Sequence, residues 1–86
     1  MKKNEVAEVV ELMDAVIEDT TVPRNIRTAV DEARQKVLSK EKRPVAITSA
    51  LYVLNDISND INMPSHTRTE IWSIISALEA IREKIK

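Results

Sequence analysis

Apolar residues recur three and four positions apart in four separate segments, the spacing that gathers them on one side of an α-helix. The first segment runs from about Glu5 to Glu18 and aligns Val6, Val9, Val10, Met13, Val16 and Ile17. Asn4 stands where a capping oxygen is needed, and early acids suit the positive end of the helix dipole. The second starts near Pro23, with Thr20 or Thr21 as capping oxygen and Ile26, Ala29, Val30, Ala33 and Val37 as its stripe. Proline in the first turn forfeits no hydrogen bond. The third begins at Pro44, and its wider apolar face holds Ala46, Ile47, Ala50, Leu51, Val53, Leu54, Ile57 and Ile61. The fourth, capped by Asn62, enters through Pro64 and reaches about Ile85. It aligns Ile71, Ile74, Ile75, Leu78, Ile81 and Ile85.

The joints between these segments repeat. Asp19, Pro23, Arg27 and Thr28 return as Asp60, Pro64, Arg68 and Thr69, at a constant offset of 41 residues (Pro23 to Pro64), and an apolar residue (Val22, Met63) precedes each proline. The repeating unit is therefore helix, tight turn, helix. Short connections force consecutive helices to lie antiparallel. The expectation is an all-α fold: one domain spanning 1–86, an antiparallel four-helix bundle of two related helical hairpins at about 4–39 and 44–85.

Composition removes whole classes of chemistry. The chain has no glycine, so phosphate-cradling loops and nucleophile elbows, which need positive φ or close backbone approach, have nothing to be built from. It has no cysteine, which excludes disulfides, thiol catalysis and cysteine-bound zinc and fits a reducing compartment. Thirteen basic and fourteen acidic residues give a net charge of −1, too little to draw nucleic acid or membrane by overall field. Lys2 and Lys3 open the chain as a signal peptide would. However, Glu5, Glu8, Glu11 and Asp14 break up any apolar h-region. A soluble, cytoplasmic, non-enzymatic protein without cofactor or membrane partner is expected.

The repeated turn resembles that of HEAT-type helical repeats, in which Asp and Arg tie adjacent helices. The stretches from Asp19 to Thr28 and from Ser58 to Trp72 together resemble a small archaeal family of uncharacterised proteins, numbered 0147. That resemblance implies a four-helical fold and an archaeal cytoplasmic setting, and it transfers no functional residue.

Each candidate residue carries a bland reading beside a sharp one. Asp19–Arg27 and Asp60–Arg68 are expected to be ion pairs that fix the two hairpin turns, since a repeated hinge needs a repeated device. His66, the sole histidine, is expected near Asp60 and Asn62 as a polar turn residue. No second histidine or cysteine accompanies it to make a metal site, and Asn25 is its counterpart in the first copy. The acids of the first segment read as a solvated face. Arg34, Lys36, Lys40, Lys42 and Arg43 cluster near the end of the second helix. They would suit the helix dipole or, as the alternative function, contact a nucleic-acid backbone. Tyr52 and Trp72, the only aromatics, both fall away from their helices' apolar stripes at matching height. They are expected to form an interface, either with a second copy in a homo-oligomer or with another protein.

Overall fold

The computed structural model describes residues 5–85; the expected cap at Asn4 lies outside them. Four helices follow one another: α1 (Glu5–Glu18), α2 (Arg24–Val37), α3 (Arg43–Ile57) and α4 (Ser65–Ile85). Each packs on its neighbours in sequence, and α1 closes the ring against α4, while the diagonal pairs do not approach. The four-helix bundle measures 34 × 28 × 20 Å. Among the described residues there is no strand.

The stripes meet at the centre. Val9, Met13 and Val16 of α1 face Ile26, Val30, Ala33 and Val37 of α2, with Ile47, Ala50, Leu51 and Leu54 of α3 and Ile71, Ile74, Leu78 and Ile81 of α4 completing the core. Val22 and Met63, the apolar residues ahead of the two prolines, plug the same end of it. Thr67 is fully buried where the first copy has Ile26, so the repeat register holds even where the residue type changes. Ile61 departs from expectation. α3 ends at Ile57, and Ile61 sits in the following turn, 91 % exposed.

Neither motif turn is capped as the sequence suggests. Pro23 occupies the N-cap of α2 and offers no side-chain oxygen. Its carbonyl accepts from the Arg27 N–H at 3.1 Å, as the Pro64 carbonyl accepts from Arg68 at 3.0 Å. Thr21 and Asn62 serve the preceding aspartates instead. The N–H of Thr21 donates to Asp19 Oδ1 at 2.9 Å, and the N–H of Asn62 donates to Asp60 Oδ1 at 2.8 Å. Each aspartate thus closes an Asx-turn on its own backbone. The Val22 and Met63 N–H groups complete the turns on the Asp19 and Asp60 carbonyls.

Candidate functional site

Up-down topology brings both motif turns to one end of the bundle, and there they cross-pair. Asn25 Nδ2 donates to Asp60 Oδ2 at 2.8 Å. In the corresponding place His66 Nε2 lies 3.5 Å from Asp19 Oδ2. Each aspartate therefore meets the third residue of the other hairpin's helix, counting from its proline. His66, expected near Asp60 and Asn62, makes its side-chain contacts with Asp19 and Thr67. It shares its surroundings with Asp19 and Glu70, one ligand atom from each lying within 4.8 Å of the others. The buried Thr67 hydroxyl also stands 3.4 Å from His66 Nε2.

The expected Asp19–Arg27 and Asp60–Arg68 ion pairs are corrected by this geometry. Arg27 Nε donates to the Val22 carbonyl at 3.0 Å. Arg68 reaches farther back, donating to the carbonyls of Ser58 at 2.7 Å and Asp60 at 3.0 Å. The physical reason is that carbonyls left outside a helix's own hydrogen-bond ladder attract a guanidinium, whereas the aspartate oxygens are already occupied by turn and cross-hairpin partners. The arginines remain structural, through a different partner.

Hydrogen bonding holds the Asp19 carboxyl below its ordinary pKa. The Thr21 hydroxyl contributes most, followed by the Thr21 backbone N–H; partial burial opposes them, and His66 lowers it slightly further. A carboxyl depressed in the folded chain adds stability that is present above its unfolded pKa and lost as pH falls through the folded value. Thr21→Val removes the strongest cause while leaving the backbone donor. The Asp19 carboxyl carbon should then titrate at higher pH by NMR. An unchanged titration would show that the hydroxyl is not what holds the carboxylate ionised.

The acidic flank of α1 faces solvent, and two of its acids also pair with neighbouring helices. Lys84 Nζ donates to Glu5 Oε1 at 2.9 Å, joining the ends of α1 and α4, and Asp14 Oδ1 pairs with Arg34 Nε at 2.7 Å, joining α1 to α2. The second pair holds Arg34, which stays partly exposed, against α1. Lys36, Lys40, Lys42 and Arg43 are exposed near the α2–α3 connection, interrupted by Glu41.

Tyr52 on α3 is 80 % exposed and Trp72 on α4 61 %. Two shallow clefts adjoin them. Tyr52, Asn55 and Asp56 line one; Asn55, Ser58, Trp72, Ile75 and Ser76 line the other. Asn55 belongs to both, so the aromatics flank a single continuous surface. Its amide is anchored by donating to the Leu51 carbonyl at 2.9 Å. Asp56 is the one charged residue along these clefts, although 31 % of the chain is charged.

The described residues contain no helix long and apolar enough to cross a membrane. A model of the Uncharacterised protein family (UPF0147) matches residues 1–81. A UPF0147 protein of Methanocaldococcus jannaschii is 50 % identical over 72 residues, covering 83 % of this chain and 77 % of its own. Two crystal structures share the fold. That of the unknown-function protein MMP1188 is 42 % identical with a TM-score of 0.87, covering 92 % of this chain and 96 % of its own. That of a family member from Thermoplasma acidophilum is 35 % identical with a TM-score of 0.86, covering 91 % and 93 % respectively. By sequence and by fold, the chain belongs to the uncharacterised protein family UPF0147.

Proposed function

We propose that this protein is a non-enzymatic interaction module of the cytoplasm, and that the α3/α4 face around Tyr52 and Trp72 joins it to a second copy of itself. The observation that carries this reading is the pairing of two solvent-facing aromatics across Asn55, along clefts lined by a single charged residue, Asp56. Interface cores are depleted in charge and enriched in Trp and Tyr. A two-fold contact presents the same patch from both partners, so each aromatic pair would close over its symmetry mate. A chain of 86 residues also buries a modest core, which further apolar contact would reinforce.

A polyanion partner is the competing reading, and the geometry favours it less. Arg34 already pairs with Asp14, and the stretch from Arg34 to Arg43 contains no aromatic residue to stack a base. Sedimentation of the wild type against Tyr52→Ala/Trp72→Ala tests the proposal. Retention on a heparin-like polymer that falls steeply with salt would instead assign the ligand to Lys36, Lys40, Lys42 and Arg43.

A further inference from the structure

We propose that Asp19, His66 and Glu70 bind a single divalent transition-metal ion of the zinc class, at the junction of the α1–α2 turn with the first turns of α4. His66 and Glu70 are four residues apart on α4 and so share one face of the helix. Asp19 approaches that face from the other hairpin. One nitrogen and two carboxylate oxygens form a donor set that zinc accepts, and the imidazole disfavours the hard, oxygen-seeking cations.

The spacing fits a metal shell better than a direct contact. Zinc bonds of about 2.0–2.1 Å place tetrahedral ligand atoms roughly 3.3–3.4 Å from one another. His66 Nε2 and Asp19 Oδ2 stand 3.5 Å apart, close to that edge and beyond the usual range of about 2.7–3.2 Å for an N–H···O bond. Glu70 offers the third ligand atom, within 4.8 Å of both. Three protein ligands leave the fourth position to water.

Asp19 is also prepared for the role. Thr21 holds its Oδ1 through the backbone N–H at 2.9 Å and the hydroxyl at 2.6 Å, which turns Oδ2 toward His66. Outer hydrogen bonds of this kind orient ligating carboxylates in metal sites.

The repeat supplies an internal control. The other half of the same junction has Asp60 for Asp19, Asn25 for His66 and Ala29 for Glu70. There an ordinary amide-to-carboxylate hydrogen bond of 2.8 Å joins the turns. Tying the hairpins together therefore needs one amide and one aspartate. The Asp19 half of the junction carries a histidine in place of the amide and adds a glutamate, one group beyond that requirement, and both lie close to the aspartate.

Zinc chloride titrated into the wild-type chain tests the site. The imidazole resonances are unambiguous because the chain has one histidine, and calorimetry supplies affinity and stoichiometry. The expected result is one Zn²⁺ per chain with displaced His66 resonances. His66→Asn and Glu70→Ala introduce the residue types that already serve in the other half of the junction, so helicity by circular dichroism should persist. Each should weaken Zn²⁺ binding at least tenfold. Unmoved wild-type imidazole resonances at tenfold excess of Zn²⁺ would overturn the proposal. So would folded variants that bind as tightly as the wild type, because the ion would then sit elsewhere.

Discussion

Arg68→Ala is expected to destabilise the fold by about 3 kcal/mol, and Arg27→Ala by about 1.5 kcal/mol, although the two arginines occupy the same place in the repeat. The difference follows from what each guanidinium reaches. Arg68 donates to two carbonyls, Ser58 and Asp60, that end α3 and begin the turn, at 2.7 and 3.0 Å. Both contacts are part-buried, and hydrogen bonds to a charged group are worth about 1.5–3 kcal/mol each. Arg27 donates once, to Val22 at 3.0 Å. For a domain of this size the larger loss lowers Tm by roughly 12–24 °C. Thermal unfolding of the two variants side by side gives the comparison. Equal losses would mean that the guanidinium contacts do not set the strength of the hinge. Variants that keep their Tm but lose a partner would make these arginines functional instead.

The bundle was legible because its signals were redundant. Stripe periodicity, proline at three helix starts and the doubled turn each indicated the same topology, and the buried positions of α1, α2 and α4 follow the stripes closely. Ile61 was lost where redundancy ended. Its spacing continues the α3 stripe, but the Asp60 turn intervenes and carries it into solvent.

The junction was less legible for a physical reason. Asp19 and Arg27 are near neighbours in sequence, and opposite charges invite pairing within one copy. The Asx-turn consumes one aspartate oxygen, and a carbonyl of the turn itself takes the arginine. What remains of each aspartate faces the opposite hairpin, a partner that pairing within one copy does not consider. The equivalence of Asn25 and His66 under the repeat was the available signal. Combined with up-down topology, it places each of them beside the other copy's aspartate. Glu70 had no such signal, because its counterpart is Ala29.

The second large effect concerns the aromatics. Trp72→Ala is expected to weaken self-association by about 2 kcal/mol or more, roughly thirtyfold, because truncating a desolvated aromatic anchor typically has that consequence. Tyr52→Ala should weaken it in the same direction. The monomer should survive both changes, since the side chains are 61 % and 80 % exposed and belong to neither the core nor the turns. Circular dichroism separates the two meanings of a loss. A double variant that remains helical but associates less places the aromatics in an interface, whereas one that unfolds places them in the bundle's own packing.

Sedimentation velocity of the wild-type protein over a wide concentration range tests most directly whether the Tyr52/Trp72 face joins two copies. The mass should move from that of the 9.7 kDa chain to that of two chains as concentration rises, and the transition should shift to much higher concentration in Tyr52→Ala/Trp72→Ala. A wild type that remains at the mass of one chain at the highest concentration, or a double variant that dimerises as readily as the wild type, would contradict it.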